Sequence, residues 1–259
     1  MSKHHRVWNA NVYENYVRES RGCGSGSDYT PWIHVQDFAS CGVVSRVKGR
    51  TTGRVHHLMS NNELAYFYIL DWSDTVMDIR EQYPLSDLEC AVNIAAQAGI
   101  KYPTDKVSGY PYILTCDFMI STAEGLKART VKMSTELGKP RTLEKLEIER
   151  RYWLAQGIDW KIVTEWNISF QKARNIEWLY TAQNFCKSRE LTQARYMLLQ
   201  LLLNGKYSIF EAVQMVEGEY ILNPGMGLQM FKQLVLDRKI TIDLNEPLDL
   251  NARGVAKVA

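Results

Sequence analysis

Residues 112–120 (YILTCDFMI) form a run of β-branched and aromatic side chains whose only charge is Asp117. A bare carboxylate inside an apolar strand is costly unless it is paired or binds a cation. The chain that follows keeps the answer local. Glu124-Gly125 reads as a turn, residues 126–133 as a second strand, and Lys132 falls near that strand's far end. An antiparallel hairpin then brings Lys132 within reach of Asp117. Thr142 reads as the cap of a helix, LEKLEIERRYWLAQ. Leu146, Glu149 and Trp153 share its inward stripe, while Glu144, Lys145 and Glu147 face mostly solvent. Gly157 ends the helix, and residues 160–165 (WKIVTE) are a further strand. The segment therefore demands a sheet with a helix packed across it, an α/β arrangement.

The rest of the chain supplies the material. At 259 residues and 46% hydrophobic it can build one large domain or two modest ones. The formal net charge of +2 excludes a whole-protein basic field, so any nucleic-acid contact must come from local patches. The five cysteines (Cys23, Cys41, Cys90, Cys116, Cys186) are odd in number, lack CxxC spacing and have no histidine at ligand spacing. They read as reduced intracellular thiols and not as a disulfide framework or zinc site. The N-terminus has no apolar signal core, and the longest aliphatic cluster, residues 197–203, is far too short to span a bilayer. The expectation is a soluble cytoplasmic protein with no membrane partner.

Upstream of the hairpin, residues 1–30 are weakly patterned, and residues 22–28 (GCGSGSD) read as a flexible tether. Residues 35–53 suggest a hairpin with a cationic tip, where Arg46, Lys48, Arg50 and Arg54 are either solvated or DNA-binding through phosphate. His56 and His57 read as structural polar residues. Ser60-Asn61-Asn62-Glu63 is a capping box opening a helix, ELAYFYILDW. Glu63 projects on an apolar side, so it serves either as that cap or as a metal ligand. Residues 75–83 alternate as a strand and 86–98 read as a helix. Beyond Phe170 come helical segments at 175–184, 191–204 and 209–216. A helix at 227–239 follows, then ITIDLNEPLDL, which alternates about a turn at 245–247. Helices ending in helix plus hairpin suggest a winged-helix module. Its presumed recognition helix offers Lys232, Arg238 and Lys239 against Asp237, which suits protein contacts at least as well as a major groove.

Several stretches carry a family resemblance: GSDYTPW, TTGRVHHLMS, the helix from Glu63, VMDIREQYPL, DFMI, VKMS, RTLEKLEIERRYW and NIEWLY. Over residues 18–180 the chain resembles the TnsA family, the endonuclease subunits of heteromeric cut-and-paste bacterial transposases. Beyond about residue 190 the likeness is one of architecture. The resemblance implies a restriction-endonuclease-like catalytic domain over 1–170 with a PD-(D/E)xK site, and a winged-helix-like domain over 171–259. It implies Glu63, Asp117 and Lys132 as catalytic residues. Glu63, Asp117, Thr130 and the Val131 carbonyl would hold one or two Mg²⁺ ions, with Mn²⁺ able to substitute. Thr130 departs from the family, which often has glutamine there, and threonine offers only a weak neutral oxygen. Glu149 would be a metal ligand or an acid supporting the ligands from behind, or else a core-facing structural one. The implied role is nicking the 5′ strands of double-stranded DNA at transposon ends. An integrase-like transposase, TnsB, would cut and join the 3′ strands, and an ATPase, TnsC, would meet the C-terminal module. A stand-alone restriction-like endonuclease and a non-catalytic assembly factor are the alternatives, the latter motivated by Thr130.

Overall fold

The computed structural model describes residues 7–37, 43–185 and 191–258, which leaves Cys41 and Cys186 outside. The chain divides into two units, residues 1–168 and 169–259, where the sequence reading divides it at 170/171.

The first unit opens with a helix the sequence reading missed, α1 (Ala10–Arg18), whose N-cap Asn9 accepts from the Val12 amide. Val12 and Tyr16 are buried with Trp8, Trp32 and Ile113 in an aromatic cluster. The glycine-rich stretch is pinned and is no tether. Gly22 N donates to Thr30 O (2.6 Å), Thr30 N to Cys23 O (3.1 Å) and Trp32 N to Gln82 O (3.3 Å). The Tyr29 hydroxyl donates to Glu81 O (3.0 Å). Gly22 has φ +76°, and a Cβ there would lie 2.4 Å from Pro84 Cγ, so glycine is required by both conformation and close approach.

A short hairpin, β1 (Ser45–Lys48) and β2 (Val55–Leu58), precedes α2 (Asn61–Trp72), β3 (Val76–Pro84) and α3 (Leu88–Gln97). Then come β4 (Thr115–Thr122), β5 (Gly125–Val131), α4 (Pro140–Ala155) and β6 (Asp159–Val163). The sheet order is β3-β4-β5-β6. The first three strands are antiparallel, and α4 carries the chain across so that β6 runs parallel to β5. One core joins Met119 and Ala128 of the hairpin to Ile148, Tyr152 and Trp153 of α4 and Ala91 and Ala95 of α3. Phe118 packs edge-on against Tyr66 of α2. Two boundaries differ from expectation. The β4–β5 loop is Ala123-Glu124, with Gly125 already paired to Thr122. Helix α4 starts at Pro140, so Thr142 lies inside its first turn and is not its cap. Proline's fixed φ and missing N–H suit that first helical position.

The second unit contains α5 (Phe170–Tyr180), α6 (Thr192–Asn204), α7 (Ile209–Glu219), α8 (Met226–Leu236), β7 (Ile240–Thr241) and β8 (Lys257–Val258). The presumed recognition helix, α8, is the unit's buried hub: Met230, Phe231, Lys232, Gln233, Leu234, Val235 and Leu236 are all buried. Lys232 Nζ donates to Thr181 Oγ1 (2.8 Å) and sits 4.0 Å from the Trp178 ring centroid. The expected hairpin about residues 245–247 does not form. β7 pairs instead with β8, Ile240 opposite Val258. The polar residues between them turn the backbone: Asn245 N donates to Asp243 Oδ1 (2.9 Å) and Asn251 N to Asp249 Oδ1 (2.8 Å). The Asn175 amide secures this segment by donating to Leu244 O and Glu246 O, both at 2.8 Å.

Candidate active site

The last β4–β5 pair is Phe118 with Arg129. Past it the two strands part, and the Asp117 side chain fills the gap. Its Oδ2 accepts from Val131 N (2.7 Å) and from Lys132 Nζ (3.1 Å). Lys132 Nζ also donates to Val131 O (2.9 Å), and Lys132 N donates to Val163 O (2.9 Å), tying the strand end to β6. Asp117 is only 7% exposed. A backbone amide and an ammonium thus offset its desolvation. Burial alone would lower the Lys132 pKa. The charges of Asp117, Glu149 and Glu63, with the Asp117 hydrogen bond, outweigh that and raise it above the ordinary lysine value.

Glu63 closes the start of α2. Ser60 Oγ accepts from Glu63 N (3.2 Å) and donates to Glu63 Oε1 (3.0 Å). Oε2 reaches back to Met59 N (3.0 Å), one residue beyond the usual capping-box partner. Burial, and then the charge of Asp117, push its pKa up to about 7. The carboxylate that caps the helix therefore lies in the electrostatic field of Asp117 and Lys132.

Gln82 is a site residue that the sequence reading did not single out. It is buried, with φ +49°, a left-handed conformation uncommon outside glycine. In the β3–β4 register its neighbours Glu81 and Tyr83 pair with Phe118 and Cys116, which places Gln82 opposite Asp117. Its amide donates to Glu63 Oε2 (3.3 Å) and accepts from Thr115 Oγ1 (3.2 Å). In the sequence it stands in step with Asp78 and Arg80 on the polar side of the alternation, so no local signal marked it.

Thr130 spends its hydroxyl proton on Glu149 Oε1, which also accepts from Trp160 Nε1 (3.1 Å). Where the sequence suggests a weak ligand, the fold places a holder for a carboxylate. Glu149 is buried, and burial, reinforced by the charge of Asp117, raises its pKa to about 7 against the lowering effect of the Thr130 and Trp160 hydrogen bonds. A cavity of about 370 Å³ is lined by Thr115, Asp117, Thr130, Lys132, Lys145 and Glu149 among others. Lys145, read from the sequence as solvent-facing, is exposed but stands on the cavity wall, and Glu63 is not on that wall.

Among the described residues, no three His, Cys, Asp or Glu side chains converge closely enough to hold a metal ion. The donor chemistry nevertheless fits a hard divalent cation. Three carboxylates (Glu63, Asp117, Glu149) face one ammonium, and two of them are driven toward the neutral form. A cation here would relieve an excess of negative charge.

The four basic residues of the first hairpin do not stay together. Arg46 and Lys48 are exposed on β1. At the tip, Arg50 N (2.7 Å) and Thr51 N (2.8 Å) donate to the Asp71 carboxylate, and the Arg50 guanidinium lies 5.6 Å from the Trp72 ring. Arg54 turns inward, its side chain 8% exposed, onto the fully buried Glu81. Its Nη1 donates to Glu81 Oε1 (2.7 Å) and its Nη2 to Ile79 O (2.8 Å). Glu81 also receives His57 N (3.0 Å) and His56 Nδ1 (2.8 Å), and the other ring nitrogen of His56 is 2.8 Å from Thr52 Oγ1. Burial would raise the Glu81 pKa, but Arg54 and His56 bring it down to about 2. Arg54 therefore belongs to a buried charge network joining β2 to β3 and is removed from the candidate DNA-binding set.

A hairpin presenting a carboxylate and a lysine, flanked by further acids, is the equipment of a nuclease. The chain is a DNA endonuclease by kinship as well. Residues 73–165 match the family described as TnsA-like endonuclease N terminal, and residues 167–244 match TnsA endonuclease C terminal. Asp117, Lys132 and Glu149 lie within the first match, and Glu63 precedes it. Over 239 residues, 91% of this chain and 86% of the relative, it is 37% identical to the transposon Tn7 transposition protein TnsA of Escherichia coli. The chain belongs to the TnsA family of transposase endonuclease subunits.

Proposed function

We propose that this subunit hydrolyses the 5′ strands at transposon ends, with Glu63, Asp117 and Lys132 as its catalytic set. The observation that carries the reading is the Asp117–Lys132 pair at the parting of β4 and β5, beside two carboxylates whose pKa values are raised to about 7. The order α2, β3, β4, β5, α4, β6 supports a restriction-endonuclease-like core. A bound divalent cation, Mg²⁺ by the family resemblance, would lower the pKa of the attacking water and offset charge on the phosphate. Asp117, Glu63, Glu149 and the Val131 carbonyl are the oxygen donors that would hold it. Thr130 acts through Glu149, keeping that carboxylate turned toward the site. Lys132, kept charged by its acidic neighbours, orients the water and neutralises the phosphate and does not take up a proton.

The partners proposed are double-stranded DNA at the transposon ends, a TnsB transposase for the 3′ strands and a TnsC ATPase. The second unit is proposed as a winged-helix-like module for protein contacts, because α8 is buried and leaves no helix face for a groove. Among the described residues, no helix is long and apolar enough to cross a membrane. In the arrangement described, Lys132 occupies Asp117 and no three acids converge. The chain alone is therefore expected to cut naked duplex DNA poorly in Mg²⁺ and to cut efficiently once partner proteins are added. Vigorous cleavage without partners would favour a stand-alone endonuclease. Retention of 5′-strand cleavage by both Glu63→Ala and Lys132→Ala in the full reaction would remove the proposed site.

A further inference from the structure

The cations of α4 and its lead-in are nearly all neutralised locally. Lys139 pairs with Glu136 (3.6 Å), Arg141 with Glu144 (2.5 Å), and Arg150 (2.8 Å) and Arg151 (2.6 Å) with Glu147. Among the described residues, Lys145 has no such partner. It is also the one cation of α4 that lines the cavity, on the stripe Thr142, Lys145, Leu146, Glu149. The acid one helical turn further on, Glu149, is already committed to Thr130 and Trp160. The other acids on the cavity wall are engaged too, Asp117 by Lys132 and Glu136 by Lys139. Two ammonium groups, Lys132 and Lys145, therefore line one small cavity; Lys132 is held by Asp117, which leaves Lys145 as the cavity-wall ammonium free to meet an incoming phosphate oxygen.

We propose that Lys145 binds a backbone phosphate of the strand being cut, at the mouth of the cavity that holds Asp117 and Lys132. The proposal rests on that cavity being the cleavage site. Lys145 is a substrate-positioning residue: a compact point charge on a flexible stem suits a phosphate oxygen, and its absence from any ion pair leaves it available. It also helps a near-neutral chain grip DNA locally.

The test measures binding of the full chain to a fluorescein-labelled duplex oligonucleotide in EDTA, between about 50 and 200 mM KCl. The slope of log affinity against log salt becomes shallower by about 0.9 in Lys145→Ala, because one fewer counterion is released. Lys145→Arg keeps the wild-type slope. Arg150→Ala, an equal charge change on the same helix away from the cavity, also keeps it. A wild-type slope in Lys145→Ala, or an equal loss in Arg150→Ala, overturns the proposal. Failure of the underlying reading shows separately: if Asp117→Ala still cuts 5′ strands in the complete reaction, the cavity is not the cleavage site, whatever the salt slope.

Discussion

Replacing Arg54 with methionine separates its two meanings. If Arg54 is part of the buried network, Arg54→Met leaves Glu81 fully buried with His56 and the His57 amide as its remaining polar partners. Removing one member of a buried ion pair costs about 3–5 kcal/mol. The linkage argument gives a similar figure. A carboxylate depressed from 4.5 to about 2 contributes about 3 kcal/mol to folding. That contribution is complete above pH 4.5 and is lost as pH falls toward 2. Thermal unfolding at pH 7 should therefore drop by roughly 10 °C in Arg54→Met. The gap to wild type should narrow below pH 4.5, where wild-type Glu81 begins to protonate. The double variant Arg54→Met with Glu81→Gln should be more stable than Arg54→Met alone, because no unpaired charge remains. An unfolding temperature within about a degree of wild type, together with a shallower salt dependence of DNA binding, would refute this and return Arg54 to the DNA surface.

Three further outcomes follow from the same geometry. Thr130→Val keeps the shape of a buried side chain but removes the donor to Glu149; it should cost about 1–2 kcal/mol in chemical denaturation and slow cleavage, whereas Thr130→Ser should keep both near wild type. At Gln82, φ +49° reverses the usual ranking, so Gln82→Gly should unfold about 1 kcal/mol later than Gln82→Ala, while both lose the amide to Glu63 and cut more slowly. Lys232→Met should leave duplex affinity and its salt slope unchanged, since the ammonium is spent on Thr181 and Trp178; a loss of DNA binding would restore α8 as a recognition helix.

What the chain revealed in advance was local. The Ser60 cap with Glu63 reaching back over it, the alternation into β3 and the lone acid of β4 each follow from short-range rules, and so does the hairpin that joins Asp117 to Lys132. What it concealed depends on partners far away in sequence. Arg54 sits in a basic run and looks like its neighbours, yet it answers a buried acid 27 residues on. The stretch from Gly22 looks like a tether because the contacts of Gly22 with Pro84 and Thr30 are invisible to local pattern. Lys145 is exposed as helical periodicity predicts, but periodicity gives only a direction and not the cavity that lies there. Thr130 reads as a defect in the sequence because its partner, Glu149, lies 19 residues on. Lys232 was the avoidable miss: its neighbours in LQMFKQLVL are largely apolar, which speaks for burial as plainly as a basic helix would speak for DNA.

The most direct test of the central claim is strand-resolved mapping of Asp117→Asn in the complete transposition reaction. Asparagine keeps the size of the side chain and removes the charge that holds Lys132. The account predicts that 5′-strand cleavage falls by at least about 100-fold while 3′-strand cleavage and joining by the partner transposase continue. Cleavage of 5′ strands at the wild-type rate would contradict it.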